Sequence, residues 1–170
     1  MIETPRLVLR PFRLTDRGAL SALLSDPEVM RFSVSGPKPC HDIVDGLEEW
    51  VANHRPTNPE RWAVTLQTSD ECLGFCGFSF HPVAGEWVWE LGYRLLPAIW
   101  GQGFATEAAA ACRDWFFATT RHDKFVLMID PANVASARVA DKIGARYEFD
   151  ADCYGMPVGI YAVRRLANFT

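Results

Sequence analysis

Residues Phe125 to Ile129, Phe-Val-Leu-Met-Ile, are apolar without interruption. A strand with no polar face must be covered on both sides, so the fold needs helices above and below a sheet. The neighbouring segments can supply cover. Phe104 to Thr119 carries Phe104, Ala108, Ala111, Cys112, Trp115 and Phe116 at helical spacing, and Asn133 to Lys142 reads as a shorter helix stopped by Gly144 as a left-handed C-cap.

Upstream the period changes. Trp62 to Leu66, Leu73 to Phe80 and Trp87 to Leu95 read as three successive strands, joined across Thr68-Ser69-Asp70 and Pro82 to Gly85. Connections this short make an antiparallel meander. Ahead of them, Leu7 to Arg10 is a strand cut off by Pro11. One helix is expected over Gly18 to Leu24, capped by Asp16 or Thr15 and closed before Pro27, and another over Asp42 to Asn53, with Ile43, Leu47 and Trp50 on one face. Ser33 to Pro39 is a loop of turn-formers, and Pro56 and Pro59 close the helical unit. Tyr147 to Phe149 and Val158 to Val163 are the last strands, connected by Ala151 to Pro157. The order β-α-α-β-β-β-α-β-α-β-β over residues 1–170 describes one mixed α/β (α+β) domain. Its sheet is expected to be mostly antiparallel, with about seven strands flanked by about four helices.

Charge and cysteine usage exclude several classes. Lys and Arg number 17 against 21 Asp and Glu, a formal net charge of −4, which does not suit a broad basic surface for nucleic acid. No run approaches the roughly 20 apolar residues that span a bilayer, and the start at Met1 has no basic and apolar leader, so a cytoplasmic protein is expected. Cys40, Cys72, Cys76, Cys112 and Cys153 are odd in number and irregularly spaced, which fits reduced buried thiols. The four histidines show no ligand spacing with each other or with the cysteines, so no metal is expected.

The stretch richest in chemistry is Trp100-Gly101-Gln102-Gly103-Phe104-Ala105-Thr106-Glu107-Ala108, between a strand and the strong helix. Glycines let the backbone approach a ligand, and the first N–H groups of a helix are unpaired and sit at the positive end of its dipole. That is an anion site, suited to a phosphate, or else a tight loop that merely needs its glycines. A P-loop would need Lys and then Ser or Thr after the last glycine, where Phe104 and Ala105 stand. A dinucleotide fingerprint lacks its third glycine, replaced by Thr106, and the glycines follow well after Leu95, leaving a dinucleotide-dependent oxidoreductase as the lesser alternative.

Taken with Asn133-Val134-Ala135-Ser136-Ala137-Arg138-Val139-Ala140-Asp141-Lys142-Ile143-Gly144-Ala145, this stretch resembles the Gcn5-related N-acetyltransferase (GNAT) superfamily. The opening Thr4-Pro5-Arg6-Leu7-Val8-Leu9-Arg10-Pro11 resembles its ribosomal-protein N-terminal acetyltransferase branch. The resemblance implies acetyl-CoA as donor, its pyrophosphate held by backbone N–H groups of Gln102, Gly103, Ala105 and Thr106. It implies that the strand with Leu91, Tyr93 and Leu95 splays from Val126 to Ile129 and hydrogen-bonds the pantetheine arm. Trp100 replaces the usual Gln or Arg, which removes a charged phosphate contact there.

Acetyl transfer to an amine needs a neutral nucleophile, an oxyanion stabiliser and a proton for the leaving thiolate. Where the family often has a tyrosine acid, Ala140 stands. Ser136 is the substitute donor, with Asn133 beside the pantetheine; the structural alternatives are a solvated hydroxyl and an N-cap. Glu90, alternating with Trp89 and Leu91, is either the base that takes the amine proton, directly or through water, or a carboxylate on a solvent face. Glu107, in a first helical turn, reads as a partner of the dipole. Phe32, Trp87 and Trp89 could wall an acceptor pocket, and Asp150 and Asp152 could attract a cationic amine. The expected acceptor is a primary amine, on a small molecule or a protein N-terminus, and the expected protein is a monomer or homodimer. A non-catalytic acyl-CoA-binding or sensing module is the competing class.

Overall fold

Local sequence choices build one twisted sheet with helices on both faces. The computed structural model describes residues 1–55 and 58–166, so Pro56 lies outside the described residues. The strands are β1 (Ile2–Glu3), β2 (Leu7–Arg10), β3 (Arg61–Leu66), β4 (Cys72–Val83), β5 (Glu86–Leu95), β6 (Lys124–Ile129), β7 (Arg146–Cys153) and β8 (Met156–Arg164). The helices are α1 (Arg17–Ser25), α2 (Cys40–Ala52), α3 (Phe104–Thr119) and α4 (Val134–Lys142). The sheet has eight strands in the order β1-β2-β3-β4-β5-β6-β8-β7. All pairs are antiparallel except β5 with β6.

Alternation along the strands sorts side chains to two cores. Phe78, Leu91, Phe125 and Leu127 face α3 and α4, where they meet Phe104, Cys112, Phe116 and Ala140. Ala63 and Phe75 face α1 and α2, against Leu20, Leu23, Ile43 and Leu47. The apolar strand at Phe125 is β6, in the interior of the sheet.

Three expectations are corrected. Ile2–Glu3 adds an eighth strand, too short to show alternation, by pairing with Val8 and Leu9. The stretch from Ala151 to Pro157 is not a loose connection but hairpin, turning only at Tyr154 (φ 56°) and Gly155 (φ 81°). Two consecutive left-handed residues form the type I′ turn that matches strand twist. Asp16 does not cap α1 with its side chain. Instead the carboxylate accepts two hydrogen bonds at 2.8 Å from the Arg10 guanidinium, with both residues almost fully buried.

Four of the five thiols are buried, while Cys40 is exposed at the first position of α2, a turn ahead of the buried Ile43 and Leu47. No disulfide forms: Cys76 and Cys112 touch at 3.5 Å as thiols. Burial pushes the Cys72 thiol up to about 11 and the Cys112 thiol well above its ordinary range, so neither is a thiolate nucleophile.

Candidate active site

Strands β5 and β6 pair at one position, Glu90 with Val126. Beyond that bridge the two strands run without pairing, leaving a wedge in the sheet. A cavity of about 520 Å³ opens there, within the range of small-molecule sites. Leu91, Tyr93, Asn133 and Ser136 line it on the β6 and α4 side, and Phe32, Trp50, Arg61 and Phe75 line it on the α1–α2 side.

The glycine loop joins the end of β5 to α3. Gly101 (φ 76°) and Gly103 (φ 84°) are left-handed, and Gly103 is the N-cap of α3. The first-turn N–H groups therefore lack intrahelical acceptors and project from the helix end. Trp100 anchors the loop: its indole N–H donates to the Leu95 carbonyl at 2.7 Å, which occupies one backbone group of β5.

A clamp holds this loop from the other end of the chain. Arg6 donates from Nε to Glu107 at 2.6 Å and from Nη1 to the Gln102 carbonyl at 2.9 Å, and its guanidinium lies 4.1 Å over the Phe104 ring. Thr4 Oγ1 donates to Glu107 at 2.7 Å. Burial works to raise the Glu107 carboxyl, but hydrogen bonds from Thr4 and Arg6 with the Arg6 charge outweigh it and hold the group below its usual value. Glu107 thus has a structural role beyond the dipole, tying the β1–β2 turn to α3.

Glu90 stands at the apex of the wedge with its side chain 15% exposed. Ser79 donates to its Oε2 at 3.2 Å, and His81 Nε2 is 3.5 Å from the same oxygen. His81 Nδ1 lies 2.9 Å from the Tyr154 hydroxyl at the exposed β7–β8 turn. His81 Nε2 also lies 3.0 Å from Ser79 Oγ, so the carboxylate is linked to solvent through the Ser79 hydroxyl, the His81 imidazole and the Tyr154 phenol.

On the donor side, Asn133 is the N-cap of α4, accepting the Ser136 N–H at 3.1 Å. The Tyr93 hydroxyl is buried without a well-formed hydrogen bond. Burial pushes it up to about 12, with Ser136 as the polar neighbour that opposes the rise.

Comparison with known proteins decides the family. The model of the acetyltransferase (GNAT) domain matches residues 6–146. The uncharacterized protein YkkB of Bacillus subtilis (strain 168) is 35% identical over 166 residues, spanning 94% of this chain and 93% of that one. The chain belongs to the GNAT acetyltransferase family. A GNAT acetyltransferase of Bacillus anthracis has the same fold, with a TM-score of 0.82 at 26% identity, covering 96% of this chain and 97% of that one. RimL, an α-N-acetyltransferase of ribosomal L7/L12 solved with coenzyme A, shares the fold at a TM-score of 0.76 and 19% identity over 95% of each chain.

In this acetyltransferase, Glu90, Leu91, Tyr93, Asn133, Ser136 and Phe32 share the cavity. Trp87 and Trp89 do not: they share the Leu91 face of β5, opposite Glu90, but lie further toward its start, where Trp87 stacks on Phe80, Trp89 packs against it at a tilt, and Trp89 also donates to His122. Gln102, Gly103, Ala105 and Thr106 form the loop beyond the β5 end of the wedge. Asp152 accepts the Gly155 N–H in the hairpin turn, and neither it nor Asp150 lines the cavity. Sequence reasoning missed Arg61, Arg94, His81 and Tyr154, whose nearness to Glu90 is set by strand register and the β7–β8 turn. It singled out Tyr93 for its backbone and overlooked the hydroxyl.

Proposed function

We propose that this acetyltransferase uses acetyl-CoA to acetylate a primary amine, on a small molecule or a protein N-terminus, by direct attack in a ternary complex. The single bridge between β5 and β6, with Glu90 beside it, is the observation that carries this reading. Bound acetyl-CoA supplies an acetyl group activated as a thioester. The loop N–H groups of Gln102, Gly103, Ala105 and Thr106 would hold its pyrophosphate, as a helix N-terminus without competing side chains can. Leu91, Tyr93 and Leu95 would hold the pantetheine along the unpaired edge of β5, delivering the thioester between Glu90 and Ser136. RimL, which shares the fold, is solved with coenzyme A, which supports the choice of cofactor. The opening at Thr4 and the glycine loop support a place near the ribosomal-protein N-terminal acetyltransferase branch.

Glu90 takes the ammonium proton through Oε1, the oxygen its neighbours leave free, and passes it outward by His81 and Tyr154. The neutral amine then forms the N–C bond as the C–S bond breaks. The acylated nitrogen sheds its second proton and the departing thiolate gains one, relayed through the Ser136 hydroxyl so that the serine ends protonated, with the Tyr93 hydroxyl next to it as a second donor that burial keeps protonated. Positioning two reactants in one wedge supplies much of the rate.

Thiol release from acetyl-CoA over a panel of amines and peptides, followed by mass spectrometry of products, tests this reading. Wild type is expected to acetylate an amine, and Glu90→Gln to lower kcat about 100-fold or more, the contribution of a general base. Tight acetyl-CoA binding with no turnover on any acceptor would instead make the chain an acyl-CoA sensor.

A further inference from the structure

The cavity holds three cationic side chains, Lys38, Arg61 and Arg94, and three acids, Asp42, Glu90 and Asp130. The charges balance, but their partners do not. Asp42 is 3.0 Å from His41, Asp130 accepts the Ala132 N–H at 2.8 Å, and Glu90 has Ser79 and His81. Arg61 gives one side-chain hydrogen bond among the described residues, from Nη2 to Ser79 Oγ at 3.0 Å, and its buried Nε has no acceptor. Arg94 has no ion pair or side-chain hydrogen bond among the described residues. Burial lowers the pKa of both guanidiniums from the usual value; Glu90 partly offsets this for each, while the Arg61 charge adds to it at Arg94. Both guanidiniums are half-buried, and a partly desolvated cation without a counter-ion carries a cost that a pairing anion recovers.

Register shows why these groups share one hollow. Across β4 and β5, Ser79 stands opposite Glu90, Gly77 opposite Gly92, and Phe75 opposite Arg94; on β3, Arg61 is also opposite Gly77. The two glycines leave a bare backbone floor between the charges. A methyl at Gly92 would meet both carboxylate oxygens of Glu90 at 3.7 Å, so that carboxylate overhangs the floor. Glu90 and Arg94 are four residues apart on one strand face, about 13 Å between Cα atoms, and their side chains shorten the gap to the length of a small molecule. Phe75 holds both cations, with Arg61 Cζ 5.4 Å and Arg94 Cζ 5.8 Å from its ring centroid.

We infer that the acceptor is a small zwitterionic amine whose carboxylate or phosphate seats between Arg61 and Arg94 while its amino group lies at Glu90. This rests on the acetyltransferase reading above and narrows its acceptor. Guanidiniums bind carboxylate and phosphate by the same paired N–H geometry, so the two anions share one subsite. Asp150 and Asp152, the acids the sequence offered for a cationic acceptor, lie outside it.

The test is a steady-state panel of aminocarboxylates, aminoalkyl phosphates, diamines, polyamines and short unblocked peptides, with acetyl-CoA affinity measured separately by calorimetry. Amines bearing an anion are expected to react and the others not, and the better of the two anionic series identifies the natural anion. Inorganic phosphate or acetate should compete with the acceptor and not with acetyl-CoA. Arg94→Met should raise acceptor KM about tenfold or more, as loss of a charge-assisted bond does, with the Kd for acetyl-CoA unchanged, and Arg94→Lys should recover part of the loss. Preferred turnover of diamines, polyamines or peptides, or an unchanged KM in Arg94→Met that still folds and binds acetyl-CoA, would overturn the zwitterion and leave the acetyltransferase standing. Acetyl-CoA binding with no amine accepted at all would overturn both.

Discussion

Arg10 and Asp16 show what one pair of residues does to this fold. They are 3% and 4% exposed, and the guanidinium also reaches Asp70 at 2.8 Å and the Pro11 carbonyl at 3.1 Å. Hydrogen bonding to Asp16 is the largest cause that raises the Arg10 pKa, ahead of the burial that opposes it. Removing Asp16 takes two charge-assisted bonds from a buried guanidinium and leaves it only the exposed Asp70 as counter-charge. Asp16→Ala is expected to lower unfolding stability by about 3–5 kcal/mol in urea titration, whereas replacing both partners with apolar residues should cost less than the single change. Tyr93 makes the matching case for catalysis. Its hydroxyl packs without a well-formed bond beside Ser136, so Tyr93→Phe should leave stability within about 1 kcal/mol and lower kcat at constant acetyl-CoA KM. An unchanged kcat would leave Ser136 or water as the proton source. Neither role was legible in the sequence. Asp16 reads as a cap because acids before helices usually are, and only the tertiary position of Arg10 overrides that.

Between elements, the clamp from Thr4 and Arg6 to Glu107 fixes the glycine loop against the first strand pair. The pKa of Glu107 is lower in the folded chain than in the unfolded one, so its contribution is present above the unfolded value near 4.3 and is lost as pH falls through the folded value. Thermal melts of wild type and Glu107→Gln should therefore differ at neutral pH and converge in acid below the ordinary carboxylate range. A gap that stays constant with pH would remove Glu107 from that role. The strand β4 carries another constraint: a Cβ at Gly77 (φ 153°) would stand 2.1 Å from the Glu60 carbonyl oxygen. Gly77→Ala should destabilise by about 3 kcal/mol in urea titration and pull β3 from β4, disturbing Arg61 on the way. Elements with long regular patterns could be read from the sequence, and α3 was placed at its observed ends, Phe104 and Thr119. The β7–β8 hairpin could not, because its Asp, Gly and Pro residues mimic a loop while cross-strand bonding holds them extended. The arginine subsite was equally hidden, since Arg61 and Arg94 lie 33 residues apart in the chain and meet only through the register of three strands.

For the whole molecule, the wedge divides one sheet into two antiparallel halves, β1 to β5 and β6 to β8, joined at one parallel bridge. The α3 helix packs on β4 and β5 in the first half and reaches β6 through Phe116 and Phe125, so the halves are held by core packing on one face more than by backbone bonds. Backbone groups along the wedge have no strand partner and should exchange readily with solvent. A ligand that fills the wedge would bridge the halves along its length. Saturating acetyl-CoA at about 100 times its Kd should add about 2.7 kcal/mol of stability. In hydrogen exchange, slowing should concentrate at residues 91–96, 102–106 and 127–129, with little change in β1 or the distal part of β7. Uniform slowing across the chain would mean that the ligand stabilises the fold globally without occupying the wedge, and slowing confined to the α1–α2 side would place it in the acceptor end instead. The first pattern requires the nucleotide end at α3 and the thioester end at Glu90 together, because residues 102–106 lie outside the cavity that Glu90 lines and only a ligand long enough to reach both protects both sets of amides directly.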